Sequence, residues 1–343
     1  MPRLKNAGET LPLDISTKKT IALIGPNADN KDHQLGDYNP DAAISEAAGM
    51  HTVTVLEAFS KLTTTNPQLT LKYSYGADIS LAPPNRTTLD AALKLHREAD
   101  VTVLVVGDST ANSNAAGSPT GLPGEPGGTF GKESCGEGAD RNTLDLYGQQ
   151  MGLLQQLASS NSSSKLVVVL IHGRQTTFGP GNSVLEKVDA LLAAWRPGAE
   201  GGNAIVDIIT GAVNPSGHTT QAWPADTGQI NSLVNPWYQS SGEGINVPVD
   251  GGIDAAFPLF PFGFGLSYTT FSFGQPALSS EFAGTMDTIS VTVPVSNTGK
   301  RDGCTVVQLY SEAPIAIGLA HYQRTLVGFT KVRIRNAAIM VHN

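Results

Sequence analysis

The chain has 343 residues, a length that holds about two domains of roughly 150 residues each. Hydrophobic residues are 40% and charged residues 15%, enough apolar material for a sizeable core, which excludes a wholly disordered chain. The net charge of −8 leaves no basic footprint and argues against a nucleic-acid partner.

The first residues, Met1 to Gly8, lack the apolar stretch of a signal peptide and read as the interior of something longer. From there to about residue 210, strand-like and helix-like segments alternate. Thr20–Ile24 is a short apolar run stopped by Gly25-Pro26, as a buried strand would be. Thr54–Leu62 has Val55, Phe59 and Leu62 at helical spacing, and Leu69–Tyr75 alternates as a half-buried strand does. Thr88–Ala99 predicts an amphipathic helix, and Val101–Val106 a buried strand. Thr143–Leu157 predicts a second helix, with Leu146, Leu153, Leu154 and Leu157 on one face. Leu166–Ile171 and Ala190–Trp195 predict two more buried strands. Ala204–Thr210 predicts a helix, with Gly211 past its end and Pro215 beyond. Apolar strands separated by helices imply an α/β fold, a doubly wound and mostly parallel sheet covered on both faces.

After residue 215 the chain turns rich in Pro, Gly, Ser and Asn. Ile289–Val295 and Cys304–Tyr310 alternate at period two across Asn297-Thr298-Gly299-Lys300, which predicts an antiparallel pair. With a strand near Leu326–Ile334 this suggests a partial all-β sandwich module from about residue 272, and Arg335–Asn343 shows no pattern. No apolar run approaches a membrane span of roughly 18–20 residues. Cys135 and Cys304 cannot build a disulfide framework or a zinc cluster. Two sequons, Asn85-Arg86-Thr87 and Asn161-Ser162-Ser163, would suit a secreted protein, but such triplets also arise by chance.

In an open parallel sheet, ligands bind beyond the carboxyl ends of the strands. Two loops follow such ends: Gly25 to Tyr38, and the long stretch from Gly107 to Arg141. The second carries Asp108, Glu125, Glu133 and Glu137 before Asp140-Arg141. Gly136 and Gly138 flank Glu137 and permit close approach to a ligand, so Glu137 is a candidate general acid or base. The plainer alternative is a solvated loop charge, with Asp140 capping the next helix. Asp140-Arg141 is expected to anchor the loop end by an ion pair. Tyr38 is either a stacking platform or packing, and His172 reads as a structural histidine at a strand end. No His pair has metal-ligand spacing, and no cofactor is implied. Gly25-Pro26-Asn27-Ala28 and Gly198-Ala199-Glu200-Gly201-Gly202 both fail as phosphate loops, which excludes a nucleotide-binding reading.

Several stretches in order resemble the C-terminal half of glycoside hydrolase family 3, the β-glucosidase and β-xylosidase family. They are LKNAGETLPL (4–13), IALIGPNAD (21–29), GDY (36–38), VTVLVVGDS (101–109) and CGEGADRNTLDLYGQQMGLL (135–154). AAWRPGAEGGNAIVDIITGAVNPSGHTTQAWP (193–224) and FPFGFGLSYTTF (260–271) complete the set. The resemblance divides the chain into a linker remnant (1–18), the family's C-terminal α/β domain (19–271) and a partial fibronectin-type-III-like β module (272–343).

It further implies retaining, exo-acting hydrolysis of terminal β-linked glucosides or xylo-oligosaccharides, by an Asp nucleophile and a Glu acid/base. The nucleophile belongs to an N-terminal (β/α)₈ barrel and the acid/base to a loop of the α/β domain. Glu137 matches that acid/base, with Glu133 as second choice. Asp37 and Tyr38 match positions near the sugar, and Asp140-Arg141 matches the Asp-Arg that follows the acid/base segment. No nucleophile segment occurs in these residues, so the chain alone is expected to be nearly inactive until a barrel is supplied in cis or in trans. An apolar face left by the absent barrel would favour dimerisation or poor solubility. The competing expectation is a non-catalytic carbohydrate-binding or scaffold protein on the same fold. Full-length members are expected outside the cell, and neither nucleic acid nor membrane is expected as a partner.

Overall fold

In the computed structural model, which describes residues 1–37, 39, 42–79, 85–110, 134–136, 139–229, 258–312, 324–336 and 339–342, five strands lie parallel in one sheet. These are β2 (Lys19–Ile24), β3 (Leu69–Ser74), β4 (Val101–Gly107), β5 (Lys165–Ile171) and β6 (Ala190–Trp195). A sixth strand, β1 (Arg3–Asn6), pairs antiparallel with β6, giving the order β1-β6-β5-β4-β2-β3. The central strands read as unbroken aliphatic runs because both of their faces are covered.

Alternation along each strand sends neighbouring residues to opposite cores. Ile24, Leu104, Val106, Val168 and Leu170 face one side, against Ala92 of α4 (Arg86–Glu98) and Leu153, Leu154 and Leu157 of α5 (Gln150–Ser159). Ile21, Leu23, Val103, Val105 and Val169 face the other. There they meet Val55 and Phe59 of α3 (Val55–Thr65) and Ile205 and Ile209 of α6 (Gly201–Thr210). The sheet is doubly wound, as the sequence pattern predicts. Thr54 and Glu57 close a reciprocal capping box at the start of α3, and Asn85 caps α4. Gly211, at φ 77°, ends α6 in the left-handed conformation.

The helix expected over 143–157 begins only at Gln150. Residues 143–149 are drawn into another task. Thr177 N donates to Leu144 O at 3.0 Å. Asp145 Oδ1 accepts from Thr177 Oγ1 at 2.6 Å and from Gly179 N at 2.8 Å. Two short helices missed by periodicity, α1 (Lys31–Leu35) and α2 (Ala42–Ala47), occupy the segment after β2.

Among the described residues beyond 270 there are six strands: β7 (Phe271–Phe273), β8 (Ala277–Leu278), β9 (Val291–Asn297), β10 (Gly303–Glu312), β11 (Arg324–Ile334) and β12 (Ile339–His342). The expected pairing across Asn297–Lys300 is not made. β9 pairs with β7, β8 and β12, whereas β10 pairs with β11. Asn297 explains the crossing. Its Nδ2 donates to Arg301 O at 2.7 Å and Ile334 O at 3.1 Å, and its Oδ1 accepts from Thr269 Oγ1 at 2.7 Å. The chain is thereby passed from one sheet to the other. The stretch expected to be patternless holds β12, which is too short for alternation to show. Asn214 joins the two halves of the molecule. Its Oδ1 accepts from Ser267 Oγ and Tyr268 N, and its Nδ2 donates to Asp302 O.

Candidate active site

Two glycines shape the carboxyl end of the sheet. A Cβ on Gly25 (φ +122°) would lie 2.0 Å from Val105 O, and one on Gly107 (φ +141°) would lie 1.9 Å from Ile171 O. Only glycine lets these strand ends approach so closely. Asn27, buried just past β2, spans the gap. Its Nδ2 donates to Asp108 O at 3.3 Å and Ile171 O at 3.2 Å. That leaves its Oδ1 as acceptor for the His33 Nδ1–H at 2.8 Å. Burial, with Arg196 adding to it, pushes the His33 pKa down to about 3, so its ring is neutral near pH 7.

Arg196, just past β6, fills the centre. Its Nη1 donates to His33 O at 2.6 Å and Asp108 O at 3.2 Å. Trp195 before it has φ 56°, a left-handed conformation costly for a bulky residue, where the β5–β6 register shifts. His172, past β5, stacks on Trp195 with ring centroids 4.5 Å apart and donates from Nδ1 to Arg174 O. Burial lowers its pKa to about 4. Its Nε2 has no hydrogen-bond partner among the described residues, so it is only half satisfied as a structural group.

The loop after β4 returns to this centre at Ser134. Ser109 N donates to Ser134 Oγ and Ser134 N donates to Ser109 Oγ, both at 2.9 Å. Asp108 Oδ1 accepts from Ser134 Oγ and from Arg141 Nη1, each at 2.9 Å. Cys135 lies against the β5 exit, where a Cβ on Gly173 would sit 2.5 Å from its Sγ. Gly136 (φ +144°) lies against Asp37, where a Cβ would sit 2.0 Å from the carboxylate Oδ2. Ser134 is therefore bonded to groups beyond β4, while Cys135 and Gly136 lie close against Gly173 beyond β5 and Asp37 beyond β2.

A family model described as the glycosyl hydrolase family 3 C-terminal domain matches residues 4–268. The chain belongs to glycoside hydrolase family 3. A β-xylosidase of Formosa agariphila is 34% identical over 334 residues, covering 97% of this chain and 41% of that protein. A periplasmic β-glucosidase of Salmonella typhimurium is 30% identical over 347 residues, covering 97% and 41%. The solved structure of the β-glucosidase EmGH1 from Erythrobacter marinus superposes with a TM-score of 0.79 at 29% identity, covering 99% of this chain and 43% of that one. This chain thus spans less than half the length of these family 3 relatives.

Within this family 3 domain, Glu133, Glu137 and Tyr38 lie outside the described residues. Asp37 abuts Gly136, next to the candidate acid/base in sequence. The expected Asp140-Arg141 anchor is corrected in its partner. Arg141 pairs with buried Asp108, with side chains only 6% and 4% exposed, whereas Asp140 is exposed. The buried position selects Asp108 because its carboxylate sits at the strand end, in reach of both loop ends. Arg141 also donates from Nε to Thr143 O and from Nη1 to Ser134 O, and lies over the Tyr147 ring at 5.1 Å. Sequence reasoning missed Ser134, Gly173 and Arg196 as individual contributors. Arg196 stood within the AWRPG motif, but its task depends on the carbonyl groups of His33, Asp108 and Ser109, all distant in sequence. Among the described residues no group of three or more His, Cys, Asp or Glu is placed to hold a metal ion, and no helix is long and apolar enough to cross a membrane.

Proposed function

We propose that this domain forms the acid/base side of a retaining β-glycosidase site that acts on terminal β-D-glucosides, with β-xylosides second. Glu137 donates a proton to the departing glycosidic oxygen, then takes one from the water that releases the sugar. Glu133 is the second choice for this role. The nucleophile is an Asp of a (β/α)₈ barrel, in cis or in trans, held roughly 5–5.5 Å from the acid/base. Tyr38 and Asp37 lie along the entering sugar.

One observation carries this reading. The three residues leading into Glu137 each lie against a different element at the carboxyl end of the sheet, Ser134 bonded to Asp108, where ligands of open α/β folds bind. The two named relatives, a β-xylosidase and a β-glucosidase, support the substrate class. The periplasmic relative supports a site of action outside the cytoplasm.

The test is hydrolysis of 4-nitrophenyl β-glucoside and β-xyloside by the purified chain, alone and with a family barrel domain. Little turnover alone, and turnover with the barrel that Glu137→Gln lowers by about 10²–10⁴-fold, is the expected result. Turnover by the chain alone that survives Glu137→Gln would overturn the assignment.

A further inference from the structure

Asp108 is 3% exposed and touches no sugar in the reading above, yet its carboxylate gathers donors from three separate segments. Oδ1 accepts from Ser134 Oγ at 2.9 Å and from Arg141 Nη1 at 2.9 Å. Oδ2 accepts from Gly173 N at 3.1 Å, beyond the next strand. Ser134 and Arg141 stand on either side of Glu137 in the chain, three and four residues away. One carboxylate therefore holds both ends of that short stretch and fastens them to the end of β5. The reciprocal Ser109–Ser134 bonds lay the outgoing and returning chain side by side at the same point.

We infer that Asp108 is a positioning residue, whose buried carboxylate fixes both ends of the 134–141 segment relative to the carboxyl end of the sheet. This rests on the reading of Glu137 as the acid/base. A buried ion pair is a poor source of net stability, because desolvation of both charges offsets their attraction. Loss of one partner, however, leaves the other charge buried and alone. Replacement of Asp108 thus removes at once the bonds it shares with Arg141, Ser134 and Gly173, and loosens the segment locally while the two cores of the sheet stay closed. Cys135 lies within the clamped stretch, is buried, and is a free thiol, so it reports on that opening. Cys304, the other free thiol, lies in β10 and serves as internal reference.

The experiment labels the full chain with an aromatic disulfide reagent and follows each cysteine by mass spectrometry. Asp108→Asn is expected to speed labelling of Cys135 by about tenfold or more, with Cys304 unchanged, because local opening is separable from global unfolding. Ser134→Ala, which removes the hydroxyl's bonds to Asp108 and Ser109 and leaves the ion pair, gives a smaller increase in the same direction. Unchanged Cys135 labelling in both variants overturns the inference, as does an equal rise at both cysteines. A kinetic arm separates positioning from plain support. With the barrel domain present, Asp108→Asn should lower kcat/KM on 4-nitrophenyl β-glucoside, which reports the first step, by about tenfold or more, and lower kcat/KM on the 2,4-dinitrophenyl glucoside far less. The activated leaving group departs without a proton, so it is indifferent to a misplaced acid. Equal losses on both substrates would leave Asp108 a structural role only. Glu137→Gln is the control: if it shows no dependence on the leaving group, the acid/base reading fails while the thiol result still decides the clamp.

Discussion

Residues 19–211 and residues 271–342 are both organised around β-strands, but they solve the burial problem differently. The parallel sheet is packed on both faces, and Ile21, Leu23, Val103, Val105, Val167 and Val169 are all at 0% exposure. Among the described residues, the apolar core of the antiparallel region is Val295, Val332 and Ile334, with Phe271, Val293 and Val307 at its margin. Its large apolar side chains stand outward instead: Phe282 is 86% exposed, Met286 93% and Phe329 75%. A sheet covered twice fixes its strand ends rigidly, so the first region carries the candidate site. The second is tied on by a few polar contacts around Asn214 and by Tyr268, whose ring lies beneath Arg3 at 4.4 Å and near Arg301 at 5.7 Å.

The most severe test of the contrast is Gly107→Ala. The added Cβ meets backbone, not a flexible side chain, and the residue has positive φ. A loss above about 4 kcal/mol is expected, seen as insoluble or unfolded protein by circular dichroism. Phe59→Ala in the doubly covered sheet should cost about 3–5 kcal/mol in urea unfolding. Val332→Ala should cost only about 1–2 kcal/mol and move a separate, earlier transition of the antiparallel region. A single transition shifted equally by both variants would show that the two regions unfold as one.

Acid should strike the first region selectively. His33 and His172 are buried and neutral, with pKa values lowered to about 3 and about 4. As pH falls below about 6.5 the unfolded chain takes up these protons first, so stability drops until the folded pKa values are reached. For His172 the loss across that window is on the order of 3 kcal/mol. His172→Gln should flatten the dependence of the urea midpoint on pH between 6.5 and 4. The smallest effect belongs to the exposed surface. Phe282→Ser should leave stability within about 0.5 kcal/mol while reducing self-association in light scattering.

The parallel half was legible because a strand buried on both faces must be aliphatic at every position, as VTVLVV and LVVVLI are. Edge strand β1 escaped because Arg3-Leu4-Lys5-Asn6 carries no period and is specified by its partner β6, far along the chain. The Asn297–Lys300 turn gave a hairpin signal of the right local kind. Which strands then pair was decided by Asn297 reaching Ile334, a contact that no local window contains. At the site, glycines around an acidic residue were visible, and so was Asp108 at a strand end. That Asp108 and not Asp140 would hold Arg141 was not, because burial and not adjacency chooses the partner.

The register of β1 also bears on synthesis. Arg3 pairs with Leu192, so the first strand of the sheet joins the last one made. At about 5–20 residues per second, a ribosome needs roughly 10–40 s between the two. Through that interval β2 to β5 can assemble as they emerge, while the segment that closes the β6 edge waits without its partner.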